Sequence, residues 1–473
     1  MNKKQTKITI LGAGISGLAT GYLLEKAGFE VTLLEKKDEP GGSMETRFID
    51  GFPVDFGPNS GLDTSPLIKE LIKDVGLENE MIYANQKGDK RYILKNNQLY
   101  PLPTNPIAFV KTKLFSAKAK IRLLAEPFIK KSNDGYYQTI STFVERRLGR
   151  EFLDYAINPF VAGVFAGDPD KLSVKSAFPK LYRLEEVYGG LIKGMVKGAK
   201  ERKQRAEQSK QNAKMFSFQR GMQSFPRAIS EKLKNSVKYN CTVDKVSKSE
   251  GKYKIVYTQN DKTDEIASDI IVSTIPAYQL EKPFKDLDTG LIPHLKTLYY
   301  PPVKVLYLGF KKKDIGRELD GFGFLIPEKE KKSFLGAIWS SVIFPNRTDK
   351  DKASFTLFIG GSRSPELFKE ESSLLIARVI KEFKGIMEIK KDPILVKERM
   401  WTKAIPQYHI GYIEQERYFE KVEIKNPGIF LGGNFRGGIS VGDCIINSEL
   451  TCNRVIEYLR ARTKIITKQT NNR

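Results

Sequence analysis

The pattern of apolar and polar positions divides the chain into three kinds of segment. Short apolar runs, suited to buried parallel strands, stand at Ile8–Leu11, Val31–Leu34, Ile270–Ile275 and Gly428–Leu431. Alternating segments predict half-buried strands at Val237–Val256, Val303–Phe310, Phe334–Ser340 and Ala353–Phe358. Two more alternate about turn dipeptides, Phe48–Asp55 about Asp50-Gly51 and Arg91–Leu102 about Asn96-Asn97, and predict hairpins. Helix-type spacing covers Ala117–Lys131, Thr139–Leu148, Arg150–Asn158, Glu185–Lys214, Glu371–Phe383 and the stretch from Ile439 onward. A strand and then a helix past Gly221 are expected in Met215–Ile229.

Buried-type strands therefore recur at the start, middle and end of the chain, separated by a helical and a β-rich insert. This order predicts an α/β fold with one discontinuous nucleotide-binding domain of Rossmann type. Its parts are expected at 1–90, 215–285 and 416–473. A β-rich substrate domain takes 91–103 and 286–415, and a helical subdomain 104–214. No internal repeat is evident.

The first strand runs into Gly12-Ala13-Gly14-Ile15-Ser16-Gly17, and a helix follows to about Ala27 with Gly28 closing it. The second strand ends on Glu35. Gly12 permits the tight turn, Gly14 lets the backbone approach a pyrophosphate, and Gly17 lets helix pack on strand. The strand, turn, helix, strand and terminal acid together form the dinucleotide fingerprint, with Glu35 placed to accept from a ribose diol. Past Lys36 the chain adds a second glycine turn at Gly41-Gly42-Ser43 and a Gly-Pro turn at Gly57-Pro58-Asn59-Ser60. Regular βα repeats, which an NAD domain would continue with, are missing there. Loops wrapped round the nucleotide suit an extended flavin.

Composition narrows the chemistry. The 473 residues include 79 Lys+Arg against 56 Asp+Glu, a formal charge of +23, which favours an anionic partner. No nucleic-acid module accompanies that charge. The basic stretch Lys193, Lys197, Lys200, Arg202, Lys203, Arg205, Lys210 and Lys214, against Glu201 and Glu207, reads as a solvated helix face or as a contact with an anionic membrane surface. Two histidines, His294 and His409, lie far apart, which argues against histidine-based metal or triad chemistry. Three cysteines without metal-type spacing suggest a reducing compartment, and the basic N-terminus leads straight into a strand, so a cytoplasmic protein is expected.

Several segments together resemble the oxygen-dependent protoporphyrinogen and coproporphyrinogen oxidases of the flavin monoamine-oxidase superfamily. They are the fingerprint, Gly57-Pro58 with Leu62–Ser65, Asn158–Asp168, Ser273–Ala277, Ile405–Tyr408 and Leu431–Asp443. The stretch Gly163–Ser173 with Phe178-Pro179 is the most specific to that branch. The resemblance spans nearly the whole chain. It implies non-covalent FAD and a porphyrinogen substrate that loses six electrons to become a porphyrin. Three dioxygen molecules are reduced to hydrogen peroxide.

On this resemblance Gly12, Ala13, Gly14, Ser16 and Gly17 meet the pyrophosphate, Glu35 the adenosine ribose and Val243 the adenine, and Ile15 and Lys36 belong to the same cofactor site. Gly42, Ser43, Gly57, Pro58, Asn59 and Ser60 follow the middle of the cofactor, and Trp401 and Tyr408 wall the flavin. Ile439, Ser440 and Val441 open the final helix toward the pyrimidine side of the ring. Arg91 is expected to pair a substrate propionate, while Gly163 and Phe165 shape the pocket. No protein base and no metal are expected. An amine oxidase or a carotenoid desaturase of the same superfamily is the alternative, although the aromatic cage of amine oxidases is not evident. A flavin-binding protein without turnover is a third reading. Which porphyrinogen is used, and the oligomeric state, stay open at this level.

Overall fold

Five parallel strands build the central sheet, in the order Val237–Lys238, Glu30–Leu34, Lys7–Leu11, Ile270–Ser273 and Ile429–Leu431. The computed structural model describes residues 6–85, 88, 90–204, 213–233 and 235–471. The strands are drawn from distant parts of the chain, so the nucleotide-binding domain is discontinuous. Helices Ile15–Lys26, Ser224–Lys232 and Val441–Asn471 are joined to one face of the sheet through a core that includes Ile8, Ile10, Leu18, Leu33, Phe225 and Ile445. Helix Ile15–Lys26 stops on a Schellman turn: Phe29 N–H donates to Leu24 O at 3.1 Å and Gly28 N–H to Glu25 O at 2.8 Å.

The hairpin Thr46–Ile49 with Phe52–Asp55 turns through Asp50 (φ 50°) and Gly51 (φ 80°), the left-handed pair that a tight hairpin demands. The hairpin Lys90–Lys95 with Gln98–Pro101 turns likewise through Asn96 and Asn97. It does not stand alone. It joins a seven-stranded sheet whose other members are Leu395–Trp401, Val303–Lys311, Lys352–Gly360, Gly336–Ile338 and Gly321–Leu325. One face of that sheet packs Phe310, Phe324, Phe355 and Leu357 under helix Ser372–Met387, with Phe383 at the centre.

Five expected elements differ. The helix expected over Ala117–Lys131 ends at Leu124 because Pro127 cannot donate within a helix, and a 3-10 turn Glu126–Phe128 follows. Arg150–Asn158 is not one helix: a π turn at Leu153–Ile157 leads into a further helix, Asn158–Phe165, which Pro159 opens. The long helix Glu185–Lys214 is two, Pro179–Tyr188 and Leu191–Gln204, parted by Gly189 at φ 79°; its segment 205–212, with Arg205, Glu207 and Lys210, lies outside the described residues. Val237–Val256 holds a short parallel strand and then the antiparallel strands Cys241–Ser249 and Lys252–Gln259. The strand in Phe334–Ser340 is only Gly336–Ile338, and Ser340 begins a helical turn.

The helical subdomain has a charged centre. Arg147 is fully buried, and its guanidinium bonds Glu126 at 3.0 Å and Glu185 at 2.7 Å, both carboxylates also fully buried. The Glu126 carboxylate further accepts from Leu191 N–H and Ile192 N–H, so it ties three helical segments together. Arg147→Met would leave the buried Glu126 carboxylate without a cation and Glu185 with Arg146 alone. A loss of about 3–5 kcal/mol is expected, read as a lower urea midpoint for protection of this subdomain in hydrogen exchange; an unchanged midpoint would contradict it.

Candidate functional site

The first glycine turn is shaped by contact of backbone on backbone. Gly12 has φ 96°, and a Cβ at Gly17 would lie 1.9 Å from Gly12 O, so a side chain at Gly17 would separate helix from strand. Gly14 is different: nothing lies within 4 Å of where its Cβ would be. Helix Ile15–Lys26 begins beside that open space with no side-chain cap and no acidic residue in its first turn. Its first N–H groups and its dipole are therefore offered to an anion. Glu35 is buried at the end of the neighbouring strand; its carboxylate accepts from Ala13 N–H at 2.6 Å and from Lys37 N–H at 2.9 Å. A carboxylate has about four acceptor positions, so it can also receive a ribose hydroxyl.

The loops that follow close on this turn. Gly41 N–H donates to Ala13 O at 2.9 Å, and the turn brings Gly42 against Gly14. A Cβ at Gly57 would sit 1.8 Å from Ser43 O, so the segment Gly57-Pro58-Asn59-Ser60 runs tightly over Ser43. Trp401 donates its indole N–H to Phe56 O at 2.8 Å, which puts its ring beside the same segment. Lys36 is exposed. Val243 is half-buried on the strand that starts where Cys241 N–H bonds Glu35 O, just before a bulge at Asp244. Gly12, Ala13, Gly14, Ile15, Ser16, Gly17, Glu35, Gly42, Ser43, Gly57 and Trp401 thus border one cradle, and its open space, free helix end and acceptor carboxylate fit a dinucleotide.

The second glycine turn, Gly432–Gly438, is held by tyrosines. Tyr408 donates to Asn434 O at 2.7 Å and accepts from Gly438 N–H at 3.1 Å. Tyr412 packs against it with ring centroids 4.4 Å apart and tilted by 31°, and donates to Phe435 O at 2.6 Å. Burial above all keeps the Tyr408 phenol well above its usual range, so it stays neutral and serves as a brace rather than a base. Burial opposes the charge on Arg436, but Glu416 and Glu423 outweigh it and hold the guanidinium above its usual range. Tyr408 is thus a buried prop, not a wall of open space. The final helix begins at Val441, later than expected: Ser440 Oγ accepts from Asp443 N–H at 3.1 Å and caps it, and Ile439 precedes the cap. Deeper in, Ser448 Oγ donates to Ser16 O at 2.9 Å, fixing this helix to the first.

Strand register shows what faces the cradle. Arg91 lies opposite Gly323, Leu325 opposite Gly336, Gly336 opposite Phe358, and Ile338 opposite Thr356. Paired residues share a face, and the period of two puts these on one side of the seven-stranded sheet. On that side Asn59 bonds Thr356 Oγ1 at 3.3 Å, so the side looks onto the loop 57–60. Leu325, Ile338 and Phe358 are only half-buried there, between the side-chain-free Gly323 and Gly336. Ser60, Phe322 and Ile338 line a small cavity under the loop. Arg91 is exposed at the edge, its guanidinium 5.2 Å over the Phe322 ring. Gly163 packs on this floor: its Cβ would lie 2.6 Å from Leu325. Phe165, in contrast, is buried between Phe178 and Tyr408 and touches the site only through Tyr408. The sequence reading missed Leu325, Ile338 and Phe358, which only long-range register brings together.

The model of the family described as flavin containing amine oxidoreductase matches residues 15–456. Protoporphyrinogen oxidase 2 of Arabidopsis thaliana is 33% identical over 96% of this chain and 94% of its own length. Coproporphyrinogen III oxidase of Staphylococcus aureus is 31% identical over 96% of this chain and 99% of its own. Among solved structures, a candidate protoporphyrinogen oxidase from Exiguobacterium sp. 255-15 shares the fold with a TM-score of 0.79 at 22% identity, covering 97% of this chain and 100% of that one. A putrescine oxidase variant has a TM-score of 0.70 at 15% identity, covering 96% and 99%.

The Gly57–Ser43 contact supplies a test of the cradle. Gly57→Ala forces backbone apart at a cost of about 1–3 kcal/mol. If that strain falls on the cofactor loop, FAD binds roughly ten- to a hundredfold more weakly. The flavin-to-protein absorbance ratio after gel filtration measures it, and an undiminished ratio would count against this loop as part of the site.

Proposed function

Because this chain belongs to the flavin-containing amine oxidoreductase family, we propose that it oxidises a porphyrinogen to the porphyrin with dioxygen as the terminal acceptor. The chain is an oxidoreductase and its cofactor is FAD. The observation that carries the substrate reading is the glycine-opened apolar sheet face set against the cofactor loop, with Arg91 at its edge. A porphyrinogen is a broad apolar macrocycle with carboxylates at its rim, and such a surface suits it. The relatives named protoporphyrinogen and coproporphyrinogen oxidase support the same reading.

Bound in this cradle, FAD would supply a two-electron acceptor that dioxygen can reoxidise, used three times for the six-electron oxidation. The protein's part is to position and to exclude water. Leu325, Ile338 and Phe358 bed the ring, Gly323 and Gly336 keep that bed low, and Gly163 lets the neighbouring helix close over Leu325. Arg91 binds a propionate and fixes the rotation of the ring. The N-terminal dipole of helix Val441–Asn471 would favour negative charge on a flavin ring held beside it. Val243, Lys36, Pro58 and Ile439 complete the cofactor contacts in this reading. The substrate's pyrrole protons pass to solvent and no protein base is needed.

No helix of the described residues is long and apolar enough to cross a membrane. The helical subdomain does expose Ile107, Val110, Ile121, Leu124, Phe128 and Val196, and Lys193 and Lys197 are exposed beside Val196 on Leu191–Gln204. These exposed apolar and basic side chains support a peripheral contact with an anionic membrane surface. Vesicle binding that rises with anionic lipid and falls with salt is expected; binding indifferent to both would remove the membrane from the reading.

The activity is tested by mixing purified protein with protoporphyrinogen IX or coproporphyrinogen III and reading porphyrin fluorescence and peroxide. A yellow protein inert to both overturns the reading, and the ratio of kcat/KM assigns the substrate. Arg91→Ala should raise KM about tenfold or more, the worth of one charge-assisted hydrogen bond, with kcat nearly unchanged. An unaltered KM would remove Arg91 from the substrate site.

A further inference from the structure

The pyrophosphate of FAD carries about two negative charges, whereas a helix N-terminus offers an equivalent of roughly half a positive charge. The cations around the two loop turns differ in their commitments. Arg47 pairs with Glu39 and Glu45, Arg227 with Glu39 at 3.0 Å, and Arg399 with Glu45 at 3.2 Å. Lys36 and Asp38 are exposed. Lys37 is half-buried, and no carboxylate lies within ion-pair distance of it among the described residues. Its Nζ donates to Gly42 O at 2.9 Å and stands 5.6 Å over the Trp401 ring. An ammonium has three donors, so two are left after Gly42. Gly42 is the residue that abuts Gly14, beside the open space at the helix end. The backbone N–H of Lys37 is meanwhile held by Glu35 at 2.9 Å, which locks this lysine to the ribose-accepting carboxylate.

We propose that Lys37 is a phosphate-binding residue of the cofactor site, its ammonium clamped between Gly42 O and the Trp401 ring so as to meet the FAD pyrophosphate. The acids of the same loop do not compete for it: Glu39 is taken by Arg47 and Arg227, and Asp38 points to solvent. The partial burial of Lys37 strengthens its attraction for an anion relative to a surface lysine's and leaves it sensitive to salt. The proposal rests on the FAD reading above and adds to it a cation that lies outside the glycine fingerprint.

The test is the FAD dissociation constant, obtained by serial dilution of the holoenzyme with released flavin read by its fluorescence. Lys37→Met is expected to weaken binding about tenfold or more at low salt, the size of one charge-assisted contact. The gap to wild type should narrow at high salt, because screening removes what the variant already lacks. Lys37→Arg, which keeps the charge, should stay near the wild-type value. An unchanged constant in Lys37→Met, a loss of equal size at both salt concentrations, or an equal loss in Lys37→Arg would each overturn the proposal. A wild-type protein that holds no FAD would instead overturn the cofactor reading, and this proposal with it.

Discussion

The site depends on backbone meeting backbone without side chains between them. At Gly12 and Gly17 the first helix touches the first strand, and at Gly57 and Ser43 two loops touch each other. Any Cβ at Gly17 or Gly57 would meet a carbonyl oxygen of a partner segment rather than a movable side chain, so the strain has nowhere to go. Those contacts set the distance between the helix end, the Glu35 carboxylate and the loop 57–60. The cofactor cradle is the volume that remains.

A second set of interactions holds the far end of that volume. The hydrogen bond from Ser448 to Ser16 O joins helix Ile15–Lys26 to helix Val441–Asn471. Tyr408 and Tyr412 hold the glycine turn that leads to the second of them. The turn has little packing of its own, because glycines bury almost no apolar surface, and its shape is therefore lent by neighbours. Burial of both phenols keeps them neutral, which a structural donor needs.

Much of this was legible in the sequence where the signal is local. The fingerprint, the acid closing the second strand and the Asp50-Gly51 and Asn96-Asn97 turns each rest on a few adjacent residues whose conformations the chain cannot avoid. The helix breaks at Pro127 and Gly189 were equally local, and the apolar periodicity running past both points outweighed them in the reading. Leu325, Ile338 and Phe358 are a different case. Each looks like an ordinary strand residue, and they share a face only through pairings between strands remote in sequence. Phe165 failed in the opposite way: its segment pointed to the pocket, but its own side chain turned into the core. Lys37 gave no signal at all, because a lysine in a charged loop is ordinary until its partners are known.

The order of strands in the central sheet bears on how the molecule comes into being. Strand Lys7–Leu11 pairs with Ile270–Ser273, which pairs in turn with Ile429–Leu431. During synthesis the glycine turn near the start of the chain emerges long before the strand and helix that complete its domain. Until then the first strands have an unpaired parallel edge, and non-local pairings of this kind close slowly. The cradle therefore takes its final shape only once strand Ile429–Leu431 and the helix after it have emerged and packed against the first strands and helix. A chain truncated before Ile429 loses more than a tail: its sheet lacks an edge strand and its first helix lacks the Ser448 contact that holds it.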